Sequence, residues 1–317
     1  MCAVTHAGAA CTGFAVYSGS PLFGMNFDYP PNEIRFSIEQ SEAGALFIGS
    51  FWMGEHYGRT VGMNEHGLFS SNQMVFPPRA GVAEPTEDEL FIWNAFYDGL
   101  GTCTSVDEVL TWIGDRRVVQ YESLHLHNLY ADPAGHAMVL ECGEAGNVIT
   151  KIAGSFLVMT NFHNGDFEGL DLRDIAGDGA ERYRVAHRTI EERFESFDIY
   201  DGFETLRRTA QSAGSYRTRY SLVFDPESLE IYIALERDYN HIWKVSLANR
   251  TIETHHGFDA YVVLPLDDIG ITGPVLQAHA GWEPAPVVRD QGGLRWPLLL
   301  LIAGGLLGAA YLLLSKR

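Results

Sequence analysis

Lysine is nearly missing from this 317-residue chain, standing only at positions 151, 244 and 316, and all basic residues together number 22 against 41 aspartates and glutamates. A net charge of −19 repels phosphate backbones and excludes a general nucleic-acid binder, whose affinity draws on neutralising Lys and Arg. Cysteine is scarce too. The four present, Cys2, Cys11, Cys103 and Cys142, are too few for a disulfide framework in a chain this long. Although there are 33 glycines, none falls in GxGxxG or GxxxxGK[ST], and no HExxH occurs, so neither a cofactor nor a metal is expected. His125 and His127 share one side of a strand, but no third ligand stands at a fixed spacing, and packing histidines are the simpler reading. What is present is apolar content, 46% of residues, enough for one large domain or two ordinary ones with a well-buried core.

The apolar residues are unevenly spread. Residues 296–314, WPLLLLIAGGLLGAAYLLL, carry no charge; as a helix they would span roughly 28 Å, close to the ~30 Å of a bilayer's hydrocarbon. This predicts a C-terminal transmembrane helix, reached through a linker at 281–295 rich in Pro, Gly and charge. The Gly304-xxx-Gly308 spacing would let two such helices approach, giving a homo-oligomer. Residues 1–10 have neither the basic start nor the apolar stretch of a signal peptide. The expected localisation is therefore a single-pass membrane anchor with a cytoplasmic domain, although the flanking basic residues, Arg289 and Arg295 against Lys316 and Arg317, balance.

Between the ends, strand patterns fall at 12–17, 22–27, 46–52, 124–131, 136–141, 156–160, 219–224, 229–235 and 242–247. Helices are expected after capping boxes at Thr86–Glu89 and Ser105–Glu108, and over 180–195. The order is not a βαβ alternation, which predicts an α+β fold with a mixed sheet and helical layers. Residues 11–28, CTGFAVYSGSPLFGMNFD, form two apolar runs about a Ser-Gly-Ser-Pro turn. Centring that turn between Gly19 and Ser20 pairs Tyr17 with Leu22, Ala15 with Gly24 and Cys11 with Asp28, so that a thiol and a carboxylate meet at the open end. Taken alone, that pair also fits a buried cysteine beside a turn-forming aspartate. Cys103 and Cys142 read as structural thiols, and Cys2 lacks a strand that would carry it into a site.

Cys-Thr-Gly at 11–13 with Leu-Phe-Gly-Met-Asn-Phe-Asp at 22–28 resembles the start of the choloylglycine hydrolase family, which includes bile salt hydrolases and penicillin V acylases. Gly62-Met-Asn-Glu-His-Gly-Leu68 is similar to the family's GMNExGL segment, and Val158-Met-Thr-Asn161 to its (V/L)xTN stretch. His127–Gly135 and Glu181-Arg-Tyr-Arg184 resemble two further segments. These matches keep their order over about 11–265.

The resemblance implies a four-layer αββα sandwich of N-terminal-nucleophile (Ntn) hydrolase type over 11–280, with a leader, 1–10, removed by self-cleavage before Cys11. It implies an amidohydrolase of linear C–N bonds, its partner a small-molecule N-acyl amide. Cys11 would supply both the nucleophilic thiol and, through its freed α-amine, the base. Asn161, and Asn72 where the match drifts by about two residues, would donate to the oxyanion. Asp28 would hold the α-amine or thiol, and Arg182 would pair with such acidic groups. One departure stands out: Met25 occupies a position where the family commonly carries Arg, and Arg35, Arg217 and Arg219 are the candidates to replace it. Two alternatives share this fold: an acyltransferase, and a catalytically silent membrane-anchored binding protein.

Overall fold

The computed structural model describes residues 11–79 and 81–281. The chain divides into two units at Val288, and the second unit lies outside the described residues, as do the expected leader and, Gly281 apart, the expected linker.

Six strands come first: β1 (Thr12–Ser18), β2 (Ser20–Tyr29), β3 (Ile34–Ser41), β4 (Gly44–Trp52), β5 (Tyr57–Asn64) and β6 (Phe69–Met74). A short β7 (Glu89–Phe91) leads into helices α1 (Ile92–Thr102) and α2 (Val106–Ile113). Then follow β8 (Arg117–Val119), β9 (Leu126–Ala131), β10 (Ala137–Cys142), β11 (Asn147–Lys151) and β12 (Phe156–Met159). After α3 (Ala180–Arg193) and α4 (Ile199–Thr209) run β13 (Arg217–Asp225), β14 (Glu230–Leu235), β15 (Ile242–Ser246) and β16 (Thr251–His256). The last elements are β17 (Val263–Pro265), β18 (Ile271–Thr272) and α5 (Gly273–His279).

One eight-stranded sheet has the order β12-β1-β2-β13-β14-β15-β16-β17, and the other β11-β10-β9-β6-β5-β4-β3-β18. Their facing sides enclose the largest apolar cluster, which includes Cys11, Ala15, Phe23, Met25 and Phe27. Helices α3 and α4 cover the outer side of the first sheet through Ala186, Ile190, Phe203 and Leu206. Helices α1 and α2 cover the second through Phe96, Leu100 and Val109. This is the expected αββα sandwich. Its central strands are buried on both faces, which is why β2 and β9 read as almost continuous runs rather than alternations.

The first hairpin differs from expectation by one residue. Tyr17 pairs with Pro21, Ala15 with Phe23 and Thr12 with Asn26. Gly19 alone makes the bend in a left-handed conformation, φ +76°, which glycine adopts at little cost. The Tyr17 N–H turns away to Ser155, so the missing N–H of Pro21 leaves no bond unmade.

A capping geometry does form at Thr86 and Glu89, whose carboxylate accepts from the Thr86 N–H at 3.0 Å, but β7 intervenes and α1 starts only at Ile92. Ser105 caps α2 as expected, accepting from the Glu108 N–H. The GMNExGL segment is the turn from β5 to β6. Asn64 closes it, accepting from the N–H groups of His66 and Leu68 and donating to the carbonyls of Leu100 and Cys103.

The membrane expectation is corrected. Among the described residues no helix is long and apolar enough to cross a membrane. The longest, α3, has 14 residues, about 21 Å at 1.5 Å each, and carries six charged side chains, Glu181, Arg182, Arg184, Arg188, Glu191 and Glu192, before its closing Arg193. The segment 296–314 lies outside the described residues. Over the described residues the fold is therefore the sandwich, with no helix that could cross a membrane, and neither a membrane partner nor a membrane localisation is retained.

Candidate active site

Alternation along β1 decides where the cysteine looks. Phe14 and Val16 belong to the cluster under α3 and α4, whereas Cys11 and Ala15 face the second sheet. Cys11 immediately precedes β1 and is 4% exposed. Extending the register of Thr12 with Asn26 places it opposite Phe27 rather than Asp28. The two expected partners still meet, because the Asp28 N–H donates to the thiol. Burial first, and then the Asp28 charge, push the thiol up to about 12, against the pull of that N–H and of Arg182.

Asp28 is fully buried near the end of β2. Its Oδ1 accepts from the Thr218 hydroxyl at 2.5 Å, while Oδ2 has no partner among the described residues. Burial raises its carboxyl to about 7, although Thr218, Arg182 and Arg237 favour the charged form.

Arg182, in the first turn of α3, binds the site together. One terminal nitrogen donates to the Cys11 carbonyl and to Thr12 Oγ1, the latter at 3.1 Å. The other donates to Asn161 Oδ1 at 2.6 Å. Gly179, at φ +81°, caps this helix, and a Cβ there would lie 2.8 Å from both the guanidinium and Thr160 Oγ1. Glycine therefore lets the arginine pass between helix and strand.

Asn161 follows β12, and the pairing of Gly13 with Met159, continued two residues, sets it across from Cys11. Its amide is held at both ends: Oδ1 by Arg182, and Nδ2 by donation to the Met74 carbonyl at 2.7 Å. Its own carbonyl accepts from the Phe76 N–H.

The structure thus brings Cys11, Asp28, Asn161 and Arg182 together and leaves Asn72 apart. Asn72 donates to Asn128 at 2.7 Å, and Asn128 donates in turn to the Ile92 carbonyl, so this pair belongs to the layer under α1.

Met25 is a fully buried core residue. Of the proposed replacements, Arg35 lies over the Tyr57 ring and donates to Ile269, Arg219 pairs with Glu236 at 2.8 Å, and Arg217 is exposed. The cations that act on Asp28 are Arg182 and Arg237. Sequence reasoning missed Thr218 and Arg237. No motif marks them, since each reaches Asp28 only through the pairing of β13 with β2 and the turn after β14.

No family model matches the sequence, and no curated protein matches it either. Solved structures do. A mutant of conjugated bile acid hydrolase from Clostridium perfringens is similar at TM-score 0.57 and 18% identity, over 77% of this chain and 96% of that one. Penicillin V acylase from Agrobacterium tumefaciens is similar at TM-score 0.57 and 14% identity, over 82% of this chain and 100% of that one. The Caenorhabditis elegans ortholog of N-acylethanolamine-hydrolyzing acid amidase has TM-score 0.51 and 16% identity, over 68% and 93%. The chain shares the αββα fold of these structures. At these identities the likeness concerns architecture alone, and the chemistry has to be argued from the site.

Proposed function

We propose that the chain is an amidohydrolase that cleaves linear C–N amide bonds of N-acyl substrates, with Cys11 as the nucleophile after self-cleavage between Ala10 and Cys11. The observation that carries this reading is buried Asp28, whose charge acts on the thiol and whose Oδ2 has no partner among the described residues. A buried carboxylate oxygen without a donor is costly, and the freed α-amine of Cys11 would supply an N–H donor whether neutral or protonated.

The thiol also needs a base. At about 12 only about one thiol in 10⁵ is ionised at pH 7. An α-amine, with an ordinary pKa near 8, takes the thiol proton as sulfur attacks the acyl carbon. The resulting tetrahedral oxyanion collapses, the C–N bond breaks, and the α-ammonium returns a proton to the leaving amine. Water, deprotonated by the same amine, then attacks the thioester; the C–S bond breaks and the acid leaves. Arg182 fixes the Cys11 carbonyl and Asn161 throughout, and Asn161 retains a second amide hydrogen for the oxyanion.

The similar fold of proteins described as a bile acid hydrolase, a penicillin V acylase and an N-acylethanolamine-hydrolyzing amidase supports this reaction class. The test is mass spectrometry of the purified protein, with hydrolysis assays on conjugated bile salts, penicillin V, N-acylethanolamines and N-acyl homoserine lactones. A chain beginning at Cys11 and turnover of at least one class are expected. A Cys11→Ala variant should keep residues 1–10 and lose at least about 10⁴-fold in rate. Wild-type turnover by that variant would refute the mechanism.

A further inference from the structure

Strand β6 divides its polar residues between two faces. Asn72 is turned toward α1, whereas Ser71 and Gln73 look across the sandwich at β1: a Cβ on Gly13 would lie 2.6 Å from Gln73 Nε2 and 3.3 Å from Ser71 Oγ. Gly13 is one pleat, about 7 Å, from Cys11 and on the same face. We propose that Gln73 is a further side-chain donor, beside Asn161, to the oxyanion formed at Cys11, and that Gly13, the last residue of Cys-Thr-Gly, is the opening through which it reaches. This inference rests on Cys11 being the nucleophile.

Gln73 is 1% exposed. Among the described residues its Nε2 donates only to Ser71 Oγ, at 3.5 Å, which leaves a second hydrogen to give, and its Oε1 has no partner. The residue paired with it in β9 is His127, fully buried, whose Nε2 is also without a partner. His127 Nδ1 lies 3.2 Å from Oε1 of Glu141, its own register partner in β10. The carboxylate holds the Nδ1 edge of the ring and leaves Nε2 as the edge without a partner. Gln73 Oε1 and His127 Nε2 then stand at paired positions on adjacent strands, and a hydrogen bond between them, direct or through one water, would satisfy both. That bond would hold the Gln73 amide with its nitrogen toward β1. His127 and Glu141 are positioning residues, and only Gln73 touches the reacting atoms.

The experiment compares kcat and KM for whichever amide of the four-class panel is turned over fastest, alongside the fraction of chains beginning at Cys11. Gln73→Met, close in shape but without a donor, should lower kcat about 100-fold with KM within about threefold, as loss of an oxyanion donor does. Gly13→Ala, which places a methyl where the amide nitrogen lies, should lower kcat about tenfold. His127→Phe should do likewise, and both losses should vanish in the Gln73→Met background; a merely structural role would add instead.

If Gln73→Met retains kcat within about threefold while Cys11→Ala is inactive, the inference falls and the nucleophile stands. If Cys11→Ala turns over at the wild-type rate, both fall. Should Gln73→Met fail to fold, Gly13→Ala and an atomic-resolution crystal structure of the unaltered chain decide. An amide oxygen, rather than nitrogen, facing Gly13 would overturn the proposal.

Discussion

Asp28 in β2 and Glu141 in β10 are both carboxylates with no exposed surface, and burial alone pushes both toward the neutral acid. They end far apart. Glu141 accepts from the N–H groups of Asn164 at 3.0 Å and Gly165 at 2.8 Å, and two histidines, His127 and His163, stand 3.2 and 3.4 Å from Oε1. Those donors outweigh burial and hold it down at about 2. Asp28 has one hydroxyl donor and a spare oxygen, and it rises to about 7. The difference teaches that donors, more than depth, set the state of a buried acid. A saturated carboxylate fastens the polypeptide; an undersupplied one is ready for a partner that arrives later, the role that the proposed self-cleavage would give to the α-amine of Cys11.

The comparison breaks if Glu141 can be removed cheaply. Glu141→Ala strips the partner from two buried histidines and two N–H groups and should cost about 4 kcal/mol in urea unfolding; a loss below about 1 kcal/mol would show that the cluster is not a fastener.

Asp28→Asn should do the opposite in alkali. The folded carboxyl sits at about 7, above its ordinary 3.8, so its contribution is complete below about 3.8 and is lost as pH rises through 7. At pH 9 the asparagine variant should therefore be the more stable, on the order of 3 kcal/mol, while self-cleavage and turnover fall. Equal stability of the two proteins at pH 9 would argue against a strained acid.

Glu141 gives the mirror image. Its folded value of about 2 lies below the ordinary 4.5, so its contribution is present above 4.5 and lost as pH falls through 2. The wild type should lose on the order of 2 kcal/mol across that interval, and Glu141→Gln should lack this component of the acid slope.

The smallest effect belongs to Thr218→Val, which removes a hydroxyl donor from Asp28 at about 1 kcal/mol. It should move the acid limb of the pH–rate profile upward; a downward shift would contradict the assignment of Thr218 as the donor.

Much of this was legible in the residues. The hairpin turning at Asp132–Gly135, the helix beginning at Ala180 and the first sheet's strands apart from β16 and β17 follow from apolar runs and turn residues. Helix α4 escaped notice because its box closes with Asp198 and Asp201 rather than the usual longer acid or amide. The faces of β6 were illegible for a different reason. A strand covered by a sheet on one side and helices on the other buries every side chain, so no alternation distinguishes Asn72 from Gln73, and a one-residue choice changes the face.

The sequence by itself determined an α+β mix of strands and helical layers, because hydrophobic pattern and turns are properties of neighbours along the chain; the αββα sandwich and the candidacy of Cys11 were implied by the resemblance of its motifs to the choloylglycine hydrolases. Tertiary structure alone decided which groups act on that thiol. The Cys11 carbonyl meets Arg182 across 171 residues, and Asp28 meets Thr218 across 190. Protonation depends on what surrounds a group in space, and a register fixed by one glycine at the bend of the first hairpin selects those surroundings.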